Sequence, residues 1–155
     1  MQRQPFVAAL AAAAALATTL PAAAQFRKPE DAVKYRQSVM AVQNFHLGRI
    51  FGMAGGRIPF DAKVVAEDAA VLDVTDKLPF VAFVDGSGPD KVPATNAKAE
   101  IWKERAKFDA AAAKMVEDVS KLNVAAKSGN IDQIKAAVGA VGQSCKACHD
   151  AYQKQ

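Results

Sequence analysis

The sequence predicts an all-α protein, an antiparallel four-helix bundle, from three observations. Apolar residues recur at helical spacing in four separate stretches. Proline and glycine punctuate the chain between those stretches. No stretch shows the alternation of a half-buried strand, and no internal repeat divides the chain.

Pro29-Glu30-Asp31 opens the first helix, with proline in its favoured early position and acids near the positive end of the helix dipole. Val33, Met40, Leu47 and Phe51 form its inward stripe, and Gly55-Gly56 with Pro59 end it. Residues 61–77 give a second, shorter helix with Val64, Val65, Val71 and Leu72 apolar, stopped by Pro79. Residues 78–97 carry Pro79, Gly86, Gly88, Pro89 and Pro93 and are expected to form a long irregular connection. Phe80 and Phe83 in that connection pack either on the bundle or against a bound group. Residues 98–127 are expected to form one continuous helix with Ile101, Trp102, Phe108, Met115, Val119 and Leu122 inward. Ser128-Gly129-Asn130 stops that helix and starts the next, over residues 131–152, with Ile134, Val138 and Val141 inward. Short connections at both ends of the bundle imply antiparallel neighbours.

The last helix carries Cys145-Lys146-Ala147-Cys148-His149. Residues three and four apart share a helix face, so Cys145, Cys148 and His149 point into one arc about 100° wide. Two thiols on that arc can form thioethers with the vinyl groups of a haem, and the adjacent imidazole can reach its iron. This is the c-type haem attachment signature. Three other uses of such a run are weighed against it. A redox Cys-x-x-Cys belongs at the start of a helix, where the dipole lowers a thiol pKa; this one lies deep in a helical pattern. Zinc needs four ligands, and only His46 remains to be recruited, at a spacing that matches no common finger. A Cys145–Cys148 disulfide would close a loop too short to constrain the unfolded chain much.

Residues 1–24 read as a secretory signal peptide: Arg3, then an alanine-rich apolar core through Leu20, then small residues, with cleavage before Gln25. The mature chain, residues 25–155, is expected to be one exported four-helix domain, with no membrane anchor left after cleavage. Cleavage removes one basic residue and no acid, so the formal charge falls from +4 to about +3. That charge is dispersed along the chain, which argues against a nucleic-acid partner. Both cysteines belong to the motif, so no disulfide framework remains to be assigned.

In small cytochromes with an N-terminal motif, a later methionine supplies the sixth iron ligand; here six residues follow His149 and none is Met or His. Four stretches carry a different resemblance. They are Lys28-Pro29-Glu30-Asp31-Ala32-Val33-Lys34-Tyr35-Arg36-Gln37, Leu78-Pro79-Phe80, Glu100-Ile101-Trp102, and the run from Ser144 to Tyr152. Over essentially the whole mature chain the sequence resembles the cytochrome c prime family, class II c-type cytochromes whose haem sits on the last helix of a four-helix bundle.

The resemblance implies one covalent haem c per chain, attached at Cys145 and Cys148, with His149 as the proximal axial ligand. Arg36, Gln37 and Asn96 match regions that contact the haem and its propionates. A guanidinium suits that task because it can pair bidentately with a carboxylate, although read alone Arg36 suits a solvated surface charge. Met40 matches the distal position, where the family usually places an apolar side chain that blocks the sixth site. A thioether can also ligate iron, so Met40 either packs or ligates.

Two functions follow from those alternatives. One is a pentacoordinate haem protein that binds small gases such as NO or CO; the other is a low-spin electron carrier with Met40 as sixth ligand and an unnamed periplasmic redox partner. Neither is an enzyme, since no acid–base pair is evident beside the iron face. His46 is expected at the surface or an interface, nearly opposite Met40 on the first helix. Gln153 stands where many relatives carry a basic residue, which weakens any stabilisation of an anion on the proximal side. The resemblance further implies a homodimer, for which Val42 and Phe45 on the first helix are candidate contacts.

Overall fold

A computed structural model describes residues 25–154. The expected signal peptide, residues 1–24, lies outside the described residues. Five helices follow in order: α1 (Pro29–Ala54), α2 (Ala62–Thr75), the short α3 (Glu100–Lys103), α4 (Arg105–Ser128) and α5 (Ile131–Tyr152). The four long ones make the bundle, packed in a ring in which α1 meets α2, α2 meets α4, α4 meets α5 and α5 meets α1. Extended pairing among the described residues is limited to one isolated bridge, Ala97 with Gln153.

Local chemistry accounts for the helix ends. Pro29 begins α1 with Glu30 and Asp31 in its first turn. Asp61 caps α2, its carboxylate accepting from the amides of Lys63 and Val64 at 2.9 and 3.1 Å. Gly129 ends α4 at φ 66°, a left-handed conformation that favours glycine, and Asn130 then caps α5 by accepting from Asp132 and Gln133. Helix α2 stops at Thr75, two residues before the expected end, where Thr75 Oγ1 donates back to Val71 O at 2.7 Å.

The expected continuous helix over 98–127 is in fact two. The backbone leaves helical geometry at Glu104 (φ −117°, ψ 40°) and restarts at Arg105. No glycine or proline marks the break. Trp102 Nε1 donates to Val84 O at 3.2 Å and Arg105 Nη1 donates to Phe83 O at 3.0 Å, so each side of the break is tied to the 78–97 connection. A tertiary tie, which local propensity does not encode, accompanies the break.

The main core joins Ile50, Val65, Leu72, Leu122, Ile134, Val138 and Val141, each at most 3% exposed. Gly142 permits the close approach of α5 to α1: a Cβ there would lie 2.7 Å from Phe51 Cζ. A second cluster of Phe83, Ile101, Phe108 and Tyr152 forms where the connection crosses the bundle. Its rings meet edge to face, with Phe108 centroids 4.8 Å from Phe83 and 5.4 Å from Tyr152. The connection itself contains one 3₁₀ turn, Phe80–Ala82.

Candidate functional site

All seven side chains singled out in the sequence border one cavity of about 440 Å³: Cys145, Cys148 and His149 from α5, Arg36, Gln37 and Met40 from α1, and Asn96 from the connection. That volume is typical of small-molecule sites, roughly 300–1,000 Å³. Phe80 and Phe83 border it too while packing on the bundle's core clusters.

The α5 wall holds the reactive groups. Cys145 packs against the main core and Cys148 against the aromatic cluster, so the two thiols sit where the clusters meet. Neither is in a disulfide. Burial pushes the Cys145 thiol pKa up, with the Asp118 charge adding to it. Burial likewise pushes up Cys148, with Cys145 as the next cause. A redox dithiol needs the opposite shift, produced near a helix N-terminus, and Cys145 lies about four turns inside α5. Among the described residues no three His, Cys, Asp or Glu side chains are grouped to hold a metal ion, which leaves zinc without a site.

The helix end beyond His149 is pinned rather than frayed. Lys98 N donates to Tyr152 O at 2.8 Å, Lys154 N donates to Asn96 O at 2.8 Å, and Gln153 N donates to His149 O at 2.9 Å. Asn96 is thus held by its backbone, while its side chain and that of Gln37 remain exposed at the cavity rim.

Arg36 is not a solvated surface charge: it is 3% exposed. Its Nη1 donates to Ala82 O at 3.0 Å and Ser87 Oγ at 2.9 Å, and its Nη2 donates to Ser87 O and Thr95 Oγ1, both at 2.9 Å. The guanidinium lies 4.3 Å from the centroid of the Phe83 ring. Burial lowers its pKa to about 10. The terminal N–H groups are therefore engaged with the connection, and a bidentate fork toward a carboxylate is available only if those bonds are given up. What Arg36 retains is a buried positive charge on the cavity with no ion-paired carboxylate among the described residues.

Apolar walls, two thiols and an imidazole on one face, and a buried uncompensated cation fit a flat apolar macrocycle with anionic edges. Met40, half-buried on α1, faces the same cavity as His149 on α5. His46 lies elsewhere: its Nδ1 is 2.6 Å from Oδ1 of buried Asp68 on α2, to which Arg49 Nε also donates at 2.6 Å. Val42 and Phe45 stand 45% and 62% exposed on α1 and so are not internal core.

Sequence reasoning missed Asp76. It borders the cavity at the C-terminal end of α2 and is 5% exposed. Its signal was an acid at the negative pole of a helix, an unfavourable position that a surface role would not require. Gln43, also on the cavity, was missed too; its Nε2 donates to Thr75 O at 2.8 Å and ties α1 to the end of α2.

With that geometry in hand, comparison with known proteins is specific. The family model described as Cytochrome C' matches residues 31–153. The chain is 48% identical over 131 residues to cytochrome c' of Rubrivivax gelatinosus, covering 84% of this chain and all of the relative. The crystal structure of that protein superposes with a TM-score of 0.80 over the same shares of both chains. A nitric oxide complex of a mutant cytochrome c prime from Alcaligenes xylosoxidans is 40% identical, with a TM-score of 0.78 over 84% of this chain and 99% of that one.

Proposed function

The chain belongs to the cytochrome c' family, and from that premise we propose that it is an exported c-type cytochrome that binds small gases such as NO or CO at a haem. Cys145 and Cys148 carry the haem as thioethers, one group per chain, and His149 is its axial ligand. The observation that carries this reading is the shared α5 wall, where both thiols and the imidazole border a single apolar cavity. When bound, the haem would supply an iron that the His149 imidazole could ligate and that could bind a small diatomic gas.

The protein's own part is positioning and exclusion. The pinned end of α5 holds the backbone that carries His149, the aromatic cluster supplies apolar wall, and the buried Arg36 charge would offset the propionates without a direct fork. Gln37 and Asn96 at the rim offer amide donors to the same propionates. With Met40 non-ligating, its flexible thioether would fill part of the cavity that His149 also borders and so would restrict it to small ligands. The protein then binds and exchanges ligands or electrons and turns nothing over. Among the described residues no helix is long and apolar enough to cross a membrane.

The second reading rests on Met40 bordering the cavity together with His149. There Met40 supplies the sixth ligand and the protein is a low-spin electron carrier serving a periplasmic redox partner. Absorption and electron paramagnetic resonance spectra of the holoprotein and Met40→Leu separate the two. High-spin spectra unchanged by the substitution support gas binding; a low-spin protein turned high-spin by it makes Met40 a ligand. Exposed Val42 and Phe45 support a homodimer through α1, and sedimentation giving a single-haem mass at micromolar concentration would refute it.

A further inference from the structure

Three carboxyls are buried among the described residues: Asp68, Asp76 and Asp118. Two have cations. Asp68 is held by His46 and Arg49, and Asp118 by Lys114. Asp76 has no ion pair and accepts no side-chain hydrogen bond among the described residues, although it is 5% exposed. Its surroundings border the haem cavity, and it lies on α2's end, on neither of the helices that carry His149 and Met40.

An unpaired buried carboxyl is costly as an anion unless something offsets its charge. Burial accordingly raises the Asp76 pKa, opposed in part by the Lys77 amide and the Lys77 charge, and reinforced by Asp73. The other titratable groups on this cavity are Arg36 on α1 and Cys145, Cys148, His149 and Tyr152 on α5; the α4 wall is apolar. Under the haem reading above, on which this inference rests, the cysteines are consumed as thioethers and His149 is held by iron. Arg36 is a fixed charge whose terminal N–H groups are occupied. Asp76 is then the protein carboxyl left on the cavity to respond to a change of charge inside it.

We infer that Asp76 is a redox-linked proton site: its carboxylate takes up one proton from water when the haem iron accepts one electron from a one-electron donor, and releases it on oxidation. One O–H bond forms on Asp76 as one O–H bond of a solvent hydronium ion breaks, the donor's electron takes ferric iron to ferrous, and the net charge of the cavity is unchanged. The driving force is Coulombic. An added electron in a cavity of low effective dielectric raises the proton affinity of a nearby acid far more than it would in water. A tenfold gap in proton affinity between the two oxidation states corresponds to about 59 mV of potential span for a one-electron couple.

The test is spectroelectrochemical titration of the holoprotein across pH, in wild type, Asp76→Asn and Asp76→Ser. Pyridine haemochrome spectra of each sample first establish covalent haem; their failure would sink the haem reading and overturn this inference with it, an outcome distinct from a haem-loaded protein that shows no Asp76 effect. Redox-triggered infrared difference spectra supply an independent readout of the carboxyl itself. The expected result is a wild-type potential that falls with rising pH by at least the tenfold equivalent. It is accompanied by a protonated-carboxyl C=O band that appears on reduction. Both variants lose that band and that part of the slope, keeping only what the haem propionates contribute. Equal slopes in wild type and variants, or a set of redox-linked carboxyl bands that both substitutions leave unchanged, would overturn the inference.

Discussion

Replacing Arg36 with alanine should cost about 3–4 kcal/mol of stability and release the connection from the bundle. The figure follows from its bonds. Loss of the guanidinium leaves the Ser87 carbonyl without its donor and the Ala82 carbonyl with only the longer 3.3 Å bond from Ser87 Oγ, and each buried unsatisfied acceptor costs roughly 1–3 kcal/mol. The hydroxyls of Ser87 and Thr95 suffer less, because Ser87 Oγ still donates to Val84 O and Thr95 Oγ1 still accepts from Ala97 N. The cation stacked on Phe83 adds about 0.5–2 kcal/mol. Relief from burying the charge, visible in the Arg36 pKa lowered to about 10, subtracts from the total. Against a domain stability of roughly 5–15 kcal/mol this is a large fraction. Arg36→Lys keeps the charge but offers one ammonium where four acceptors are spread, and should recover about half of the loss. Urea unfolding followed by circular dichroism gives the free energy. Hydrogen exchange across residues 78–97 and the fluorescence of Trp102, the one tryptophan of the chain, report the connection directly. A loss below about 1 kcal/mol with unchanged exchange would refute the reasoning that Arg36 holds that wall.

Other outcomes follow from individual positions. Cys145→Ala with Cys148→Ala should yield protein whose haem is removed by acid-acetone extraction, whereas the wild type retains it; retention in the double variant would exclude the thioethers. Gly142→Ala should cost about 1–3 kcal/mol in chemical denaturation, because the new Cβ meets the Phe51 ring and α5 or the ring must shift. Asp76 has a folded pKa raised above its ordinary 3.8, so between those two values the folded chain binds more protons than the unfolded one. Stability should therefore fall as pH rises through that window. Asp76→Asn should remove that part of the slope, which denaturation series at several pH values measure.

The helices were legible because their signals are local. Pro29, Asp61, Gly129 and Asn130 act within a turn of themselves, and the apolar stripes name much of the core. The motif at Cys145, Cys148 and His149 was legible for the same reason: its geometry is the spacing of a single helix. What depended on distant partners was not. Arg36 reads as a surface charge until Ala82, Ser87 and Thr95 close around it from about fifty residues away. The break at Glu104 has no breaker residue, since the ties at Trp102 and Arg105 run to the connection. Asp76 belongs to the same class: its place at the negative pole of α2 marks it as unusual, but the cavity wall that covers it is built by residues distant in sequence.

The pins between residues 96–98 and 152–154 turn the end of the chain into a closed ring. Fraying ordinarily starts at helix ends, and the residues that carry the motif lie in the last turns of α5. Because Tyr152 and Lys154 are stitched to the middle of the chain, opening the last turn requires opening the connection as well. Motion at the tail and motion over the cavity are thereby made a single event. A chain cut after Ala151 would keep both thiols and the imidazole yet present them on a loose end, with Phe108 stripped of its Tyr152 neighbour.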